Sequence, residues 1–402
     1  MSLHQQADQA MPLADVTVLD ATSVIAGPVT SMLLADYGAT VIKIEHPGGD
    51  PLRQHGHSKD GVPLWWTTIG RGKRCITLYL GTPDGQRLFR RLAKDVDVVI
   101  ENFRVGTMAK WGLDYESLRS ENPGLVMAHI TGFGQVGPRS REPGFGTLAE
   151  AMSGFAHRTG DPDGPPTLPP FGLADGVAGL STAFAIMVAL HERKRSGIGQ
   201  EIDLAIAEPL LTILEPQVTT FDQLGIELVR SGSQATTNAP RGIYQSADDR
   251  WVAISASTES TARRLIAMAG RPDVAAMPWM RSAESRVAHA AELDEILVPW
   301  FRERRHDEIL TLCREAEAPA SLVYSAADIV ADEQFAATKA ITTVPHDKLG
   351  SVRMPNVLFR LSRTPGEIRW PGPDMGTDNA EIYGSIGMDE AELSRLRENG
   401  TI

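Results

Sequence analysis

Hydrophobic positions along the chain fall into short apolar runs separated by segments with helical spacing. Five runs have the length and composition of buried strands, namely Val16–Asp20, Thr40–Glu45, Cys75–Leu80, Val96–Glu101 and Leu125–Gly134. Helices are predicted between them, for example over Ser31–Tyr37 and Pro83–Leu92. Strands that alternate with helices of about ten residues indicate an α/β fold with a parallel sheet covered on both faces. Such sheets bind ligands at the carboxyl ends of their strands.

A long apolar segment, Gly172–Leu190, has about the length of a membrane span. It contains Asp175 near its start and runs into the charged sequence His191–Arg195, and an unpaired carboxylate is rare in a spanning helix. We therefore interpret Asp175–Arg195 as a helix buried in a soluble core. The proline-rich loop Asp161–Pro170 precedes it, and a further strand is predicted over Gly197–Ile206.

The sequence changes character after about residue 222. An antiparallel hairpin is predicted around Asp248–Asp249, followed by charged helical stretches up to about residue 325. We therefore predict that residues 1–221 form the first part of a large α/β domain and residues 222–325 a smaller α+β domain. Residues 326–402 are predicted to return to the large domain and to end in a helix.

The composition and net charge of the chain argue against several classes of protein. The chain has 402 residues, 42% of them apolar, which is enough for a large core. Its net charge of -12 argues against a nucleic-acid binder, because phosphate neutralisation requires a basic face. Cys75 and Cys313 make neither a disulfide framework nor a zinc cluster, and residues 1–16 lack the pattern of a signal peptide. We expect a reduced, cytoplasmic protein without a bound metal.

A local basic surplus lies between Thr40 and Cys75. This stretch holds six basic residues and three histidines against three acidic residues. In an acidic protein such a patch suits an anionic ligand with several phosphates. Basic residues are also common on ordinary surfaces, so charge alone leaves a solvated loop as the simpler interpretation.

The glycine-rich sequence Gly132–Gly137 follows a predicted strand and matches the dinucleotide-binding pattern G-x-G-x-x-G. That pattern also requires a helix to begin there, and Pro138–Arg141 has no helical periodicity. A loop at the end of a strand is therefore the better interpretation. The familiar serine-hydrolase, zinc-protease and phosphate-loop motifs are absent, and Cys313 lies in a helical stretch typical of core packing.

Asp175 has two interpretations. An aspartate at the start of a helix commonly caps the free backbone amides, and frequency favours this role. Alternatively, Asp175 is a semi-buried nucleophile that attacks an acyl carbon and forms an anhydride. In that case the amides at the helix start would lower its pKa and keep it ionised. The residue pattern by itself leaves both interpretations open.

The chain carries several long motifs, in the order VLDATSVIAGPVTSMLLADYGATVIKIEHPGGDPLR, KRCITLYLGTPDGQRLF, ITGFGQVGP, GDPDGPPTLPPFGLADG and ERKRSGIGQEIDLAI. Together they resemble the class III coenzyme A transferases, a family that includes formyl-CoA:oxalate CoA-transferase and the related α-methylacyl-CoA racemase. These motifs and the ending GMDEAELSRLRENGTI extend the resemblance over nearly the whole chain. It is weakest between residues 222 and 325.

The resemblance implies which residues form the site. In the family, the aspartate that opens the helix after the Gly-Pro-Pro loop is the nucleophile, and Asp175 occupies that position, so the resemblance favours the nucleophile over the cap. The family's coenzyme A site uses the V-x-A-G-P and E-N-F turns, and His46 stands where formyl-CoA transferase has a basic residue. The implied coenzyme A-binding residues are Val24, Ala26, Gly27, Pro28, His46, Lys73, Arg74, Asn102, Phe103, Arg104 and Lys110, with Lys43 also available.

The resemblance also implies a Rossmann-like large domain, a smaller inserted domain and an interlocked homodimer. The implied activity moves coenzyme A from an acyl-CoA thioester to a carboxylic acid through an aspartyl mixed anhydride and an aspartyl-CoA thioester, without a prosthetic group. Gly144, Gly146 and Gly172 are expected to offer backbone amides to the oxyanions. Arg241 is either a ligand for a second substrate carboxylate or an ordinary surface arginine.

Two other functions remain open at this point. The racemases remove and return a proton beside the thioester carbonyl, and they use a histidine–aspartate pair near the position of Phe145. Phenylalanine cannot carry a proton, and Glu150 lies one turn further along. A non-catalytic coenzyme A-binding protein would keep the phosphate pocket but lack Asp175. We therefore favour transfer.

Overall fold

The computed structural model describes residues 11–402, which divide into two compact units. The first unit consists of residues 11–155, Leu168–Glu215 and Gln334–Ile402, and the second of Ala156–Thr167 and Pro216–Glu333. The segment predicted as the smaller domain, residues 222–325, lies within the second unit, which extends beyond it on both sides.

The strands form one large parallel sheet and several small antiparallel ones. In chain order they are β1 (Thr17–Asp20), β2 (Thr40–Glu45), β3 (Ser58–Lys59), β4 (Val62–Pro63), β5 (Lys73–Thr77), β6 (Val98–Glu101), β7 (Val126–Thr131), β8 (Glu201–Ala205), β9 (Arg241–Gln245), β10 (Trp251–Ser255), β11 (Ala320–Leu322), β12 (Ile341–His346) and β13 (Gly350–Pro355). The first unit contains the parallel sheet, in the order β5-β2-β1-β6-β7-β8. The second contains the antiparallel sheet β11-β10-β9, which includes the predicted hairpin.

Helices connect these strands and cover the parallel sheet. They are α1 (Ala26–Asp36), α2 (Leu64–Ile69), α3 (Pro83–Ala93), α4 (Thr107–Lys110), α5 (Tyr115–Arg119), α6 (Gly146–Met152), α7 (Phe155–Arg158), α8 (Leu173–Ser196), α9 (Ala207–Ile213), α10 (Gln217–Leu224), α11 (Glu259–Met268), α12 (Pro272–Ala275), α13 (Ala283–Ala288), α14 (Ala290–Arg302), α15 (His306–Glu315), α16 (Ala326–Ala331), α17 (Glu333–Ala337), α18 (Asn379–Ser385) and α19 (Glu390–Glu398). Short 3-10 turns occur at Pro51–Gln54 and Pro278–Arg281.

Two hydrophobic cores cover the two faces of the parallel sheet. Val18 pairs with Val41 in register, and both side chains enter the core that includes α1 and α8. The next residues, Leu19 and Ile42, enter the core that includes α3 and α19. This alternation is the geometry of a strand buried on both sides. The predicted α/β fold with a covered parallel sheet is therefore confirmed.

Several element boundaries differ from the prediction, and two of them bear on the candidate site. The first helix begins at Ala26, five residues before the predicted start at Ser31, because Pro28 is tolerated in a first helical turn. The strand predicted over Cys75–Leu80 runs instead from Lys73 to Thr77. Lys73, which the sequence leaves either in a solvated loop or at a phosphate site, is instead the first residue of β5, and its ammonium group is buried against a carboxylate.

Helix α8 has an apolar exposed face as well as a buried one. Ala178, Ile186 and Leu190 are buried, and the described chain leaves Phe184 and Val188 exposed by 72% and 52%. Within residues 11–402, α8 is also the one helix long and apolar enough to cross a membrane by length and composition. The prediction of a buried core helix therefore holds for only one of its faces.

Candidate active site

A cavity of about 150 Å3 opens at the carboxyl edge of the parallel sheet. The last residues of β7 and the residues that follow β1, β6 and β8 line it. From β1 the chain first builds one side of the sheet through β2 and β5, and then returns to β6 on the other side. The strand order thus reverses between β1 and β6, and the crevice at such a reversal is the usual ligand site of an open parallel sheet.

Asp175 lines this cavity and is half-buried. It is the third residue of α8, which begins at Leu173 after Gly172 in the capping position. The capping role considered for Asp175 is therefore wrong. Within residues 11–402, no amide or hydroxyl donates a hydrogen bond to its carboxylate, so both oxygens are available to a substrate.

Burial, and then the neighbouring Glu150 carboxylate, raise the pKa of Asp175 from 3.8 to about 6. The expectation that amides at the helix start lower this pKa is wrong, because one of these amides serves another acid. The Ala174 amide donates to Glu150 Oε1 at 3.2 Å, and the Glu150 side chain, on α6, is buried. Asp175 is consequently more basic than an ordinary aspartate, yet still largely ionised at pH 7.

Glycines surround the Asp175 carboxylate. A Cβ atom on Gly146, the first residue of α6, would overlap Asp175 Oδ2 and lie 2.8 Å from Cγ. A Cβ atom on Gly172 would lie 3.2 Å from the same oxygen. The backbones of Gly132 and Gly144 also meet beside the cavity, where a Cβ on Gly132 would lie 2.6 Å from Gly144 Cα. Main chain rather than side chains therefore surrounds the carboxylate.

The turns after β1 and β6 form one hydrogen-bonded wall of the cavity. The Ser23 amide donates to Asn102 Oδ1 and Asn102 Nδ2 donates to the Ser23 carbonyl, each at 2.9 Å. Next to this pair, Glu101 Oε2 accepts the Phe103 amide at 2.7 Å. Val24 has a φ of 70°, a left-handed conformation that is strained for a β-branched side chain. The two turns implied for coenzyme A binding are thus joined.

The structure brings only part of the predicted coenzyme A site together. The cavity that holds Asp175 is also lined by Val24, Ala26, Asn102, Phe103 and Arg104. Gly27 and Pro28 are buried in the first turn of α1, where a Cβ on Gly27 would overlap the Thr22 side chain. The absence of a side chain on Gly27 lets this helix approach the turn before it.

Three predicted phosphate-binding residues lie away from the cavity lining. His46, after β2, is exposed, and its ring packs edge-on against Tyr79 with centroids 4.8 Å apart. Lys110, at the end of α4, is exposed. Arg74, on β5, is partly buried and forms an ion pair with Glu381.

The basic surplus between Thr40 and Cys75 is largely neutralised inside the fold. Lys73 Nζ lies 3.3 Å from Asp20 Oδ2 and donates to the Pro28 carbonyl at 2.8 Å, and the side chain is fully buried. The prediction that Lys73 binds phosphate is therefore corrected. Lys43 is equally buried. The burial of Asp20 would by itself raise the pKa of this carboxyl, but the two lysines outweigh that effect, and the pKa of Asp20 falls to about 2.

The glycine-rich loop Gly132–Gly137 is not a dinucleotide site. β7 ends at Thr131 and the next helix begins only at Gly146, so no helix opens directly after the loop. Instead, the Gln135 amide donates to both carboxylate oxygens of Asp203, at 3.0 and 2.9 Å. In the part of the chain that the structure describes, no group of three or more metal-binding side chains occurs.

Arg241 lies on β9 and lines a cavity of about 500 Å3 within the second unit. Phe145 precedes α6, is 66% exposed and lines the Asp175 cavity.

Several residues that shape the site were not predicted from the sequence. Glu150 was considered only as a substitute base, whereas it serves α8 as an acceptor and raises the pKa of Asp175. Thr131 lines the cavity with a buried hydroxyl that has no hydrogen-bond partner. The ion pairing of Asp20 and Lys43 could have been recognised from the sequence, because a charged residue inside an otherwise apolar strand usually has a buried partner.

The fold and the cavity define an α/β protein with a half-buried carboxylate where the strand order of its sheet reverses. Residues 13–379 match CoA-transferase family III, and the chain belongs to that family. It is 40% identical to succinyl-CoA–D-citramalate CoA-transferase of Chloroflexus aurantiacus, over 97% of this chain and 98% of the relative. The beta subunit of succinyl-CoA–L-malate CoA-transferase of the same organism is 37% identical, over 98% of each chain. A CAIB/BAIF family protein from Brucella suis has a similar structure, with a TM-score of 0.82, 31% identity, and coverage of 95% of this chain and 100% of that one.

Proposed function

We propose that the protein is a cytoplasmic enzyme that moves coenzyme A from an acyl-CoA thioester to a second carboxylic acid, with Asp175 as the covalent nucleophile. The observation that carries this proposal is the Asp175 carboxylate, which enters the cavity without a hydrogen-bond partner in residues 11–402. The names of the two relatives support a succinyl-CoA donor and a dicarboxylic acceptor of similar size.

The reaction proceeds in two exchanges. The Asp175 carboxylate attacks the acyl-CoA carbonyl, the carbon–sulfur bond breaks, and a mixed anhydride and a coenzyme A thiolate form. The thiolate then attacks the aspartyl carbonyl, which releases the donor carboxylate and leaves an aspartyl-CoA thioester. The acceptor carboxylate attacks this thioester to give a second anhydride, and the thiolate attacks its acyl carbonyl to give the new acyl-CoA. Asp175 is thereby returned as a free carboxylate.

The surroundings of Asp175 suit this role. Its raised pKa makes the carboxylate a stronger nucleophile than an ordinary aspartate, while most of it remains ionised at pH 7. The glycine backbone at Gly146 and Gly172 leaves room for a tetrahedral carbon beside Oδ2 and puts peptide groups near the developing oxyanion.

Coenzyme A binding is assigned to the joined turns and to basic residues outside them. Val24, Ala26, Asn102 and Phe103 form the wall along which the pantetheine arm lies, and the exposed Arg104 is placed to meet a phosphate. His46, Arg74 and Lys110 remain candidates for the more distant phosphates.

The alternative racemase chemistry requires an acid or base on each face of the α-carbon. Phe145 faces the cavity and cannot supply one, and the buried Glu150 carboxylate already accepts the Ala174 amide. A non-catalytic binding role leaves the unpartnered, pKa-shifted Asp175 without a purpose. These observations favour transfer over both alternatives.

We further propose an interlocked homodimer. Leu180, Phe184, Met187 and Val188 are exposed at helical spacing on α8, and such an apolar stripe is typical of a covered surface. A second copy of the chain is its proposed partner. Light scattering should give the mass of a dimer for the wild type, and Phe184→Glu should shift it towards the monomer; a wild-type monomer at micromolar concentration would contradict the proposal.

The function is tested by incubating the protein with succinyl-CoA and a panel of dicarboxylic acids, with detection of new thioesters by mass spectrometry. Trapping with hydroxylamine or borohydride during turnover should modify Asp175. In heavy water, without an acceptor, no deuterium should enter the α-position of a 2-methylacyl-CoA. Deuterium exchange at the rate of turnover, or trapping on a residue other than Asp175 in an active enzyme, would contradict the transferase mechanism.

A further inference from the structure

A cluster of buried lysines and aspartates, with no net charge, lies next to the turn that contains Val24. It consists of Asp20, Lys43, Asp50 and Lys73, none of which is more than 4% exposed. Lys43 Nζ lies 3.2 Å from Asp50 Oδ2 and 3.9 Å from Asp20 Oδ1, and Lys73 Nζ lies 3.3 Å from Asp20 Oδ2. Buried ion pairs of this kind add little stability compared with well-packed apolar residues. Stability by itself is therefore a poor explanation for the cluster.

The cluster holds the main chain of the turn on both sides of Ser23. The Thr22 amide donates to Asp20 Oδ1 at 3.0 Å, and Lys43 Nζ donates to the Thr22 carbonyl. On the other side, the Val24 amide donates to Asp50 Oδ1 at 3.3 Å. The same Asp50 oxygen accepts the Leu52 amide at 2.8 Å, so its direction is set by two amides and, through Oδ2, by Lys43.

Val24 needs such support. Its left-handed backbone is disfavoured for a β-branched side chain, and strained conformations persist only where the surroundings over-determine them. Such strain is concentrated at ligand sites, and Val24 lines the cavity that contains Asp175. Without the acceptor at Asp50, the turn would relax towards an ordinary backbone conformation and change the shape of that wall.

We infer that Lys43 and Asp50 are positioning residues for acyl-CoA: their ion pair directs Asp50 Oδ1 at the Val24 amide and keeps the strained turn in the shape that binds the substrate. The inference rests on the proposed function, because it assumes that acyl-CoA occupies this cavity. Both residues are buried and neither lines the cavity, so both act through Val24.

The test is a double-mutant cycle between Asp50→Ala and Val24→Gly. Asp50→Ala should raise the KM for acyl-CoA, and the Kd of coenzyme A measured by calorimetry, about tenfold, the effect of losing a hydrogen bond to a charged group. Glycine adopts a positive φ without strain. In the Val24→Gly background, the same Asp50→Ala change should therefore alter KM and Kd by no more than about twofold.

The matched control is Asp36→Ala, which removes a carboxylate from another buried ion pair of the same unit, with Arg71. It should lower the melting temperature as Asp50→Ala does, but leave KM and Kd unchanged. Equal effects of Asp50→Ala in both backgrounds, or a lower melting temperature with unchanged KM and Kd, would overturn the inference.

If Asp50→Ala does not fold, Asp50→Asn replaces it, because asparagine keeps an acceptor oxygen but breaks the ion pair with Lys43. Asp50→Asn should raise the Kd of coenzyme A by less than tenfold, and this rise should again vanish in the Val24→Gly background. A Kd unchanged by Asp50→Asn would equally overturn the inference. Because Kd is measured without turnover, failure of the proposed transferase function would appear separately, as a wild-type protein that binds coenzyme A but forms no new thioester.

Discussion

Replacing Asp175 by asparagine should abolish turnover and at the same time stabilise the fold above pH 6. Asparagine has nearly the same shape but no charge and is a very poor nucleophile, so turnover should fall about a thousandfold or more. The stabilisation follows from the raised pKa of Asp175, because the folded protein holds the ionised carboxylate less favourably than water does.

The size and sign of this effect follow from the two pKa values. The folded-state pKa of about 6 lies about two units above the ordinary value of 3.8, and each unit corresponds to about 1.4 kcal/mol. Ionised Asp175 therefore lowers the free energy of unfolding by up to about 3 kcal/mol above pH 6. Below pH 3.8 the carboxyl is neutral in both the folded and the unfolded protein, and the difference from asparagine disappears. Wild-type stability thus falls, relative to the variant, as the pH rises from about 4 to about 6.

Thermal unfolding at pH 4.5 and pH 8 measures this difference. The Asp175→Asn variant should melt several degrees above the wild type at pH 8, and the gap should shrink at pH 4.5. Asp95→Asn, which removes an exposed carboxylate from a turn of the same unit, is the matched control for the substitution itself. A variant that is less stable than the wild type at pH 8, or an equal gain at both pH values, would refute the account of the Asp175 environment.

Three further predictions concern the same cavity. Wild-type turnover should fall to half its maximum near pH 6 on the acid side of its pH profile. Glu150→Gln keeps an acceptor for the Ala174 amide but removes the charge that repels the Asp175 carboxylate, so it should move this midpoint to lower pH. An unmoved midpoint would contradict the coupling between the two carboxylates. Gly146→Ala should reduce turnover about a hundredfold by displacing the Asp175 carboxylate, whereas Gly384→Ala, on α18 of the same unit with open space around it, should leave turnover unchanged, and similar losses in both would contradict the steric argument. Arg104→Ala should raise the KM for acyl-CoA and weaken its dependence on salt, whereas an unchanged salt dependence would remove Arg104 from the phosphate site.

Local patterns were sufficient to predict the strands of the parallel sheet, though not all of their boundaries. Thr40–Glu45 was predicted with the bounds it has, because an apolar run of this length between turns has few alternatives to a buried strand. The start of α1 was not predicted correctly, because glycine and proline usually mark a turn. In the structure, position 27 requires glycine because the Thr22 side chain occupies the space of a Cβ atom, and this contact exists only in the folded chain.

What the sequence determined by itself was the alternation of strands and helices, the family resemblance, and with them the place of Asp175 at the beginning of a helix. Only the tertiary structure decided the electrostatics. Lys73 and Lys43 resemble phosphate ligands in the sequence, yet they are neutralised by Asp20 and Asp50, partners separated from them by up to 53 residues. Likewise, the pKa of Asp175 depends on burial and on Glu150, which approaches from another helix. Charge interactions depend on distance in space and on exclusion of water, and neither quantity can be read from the order of residues along the chain.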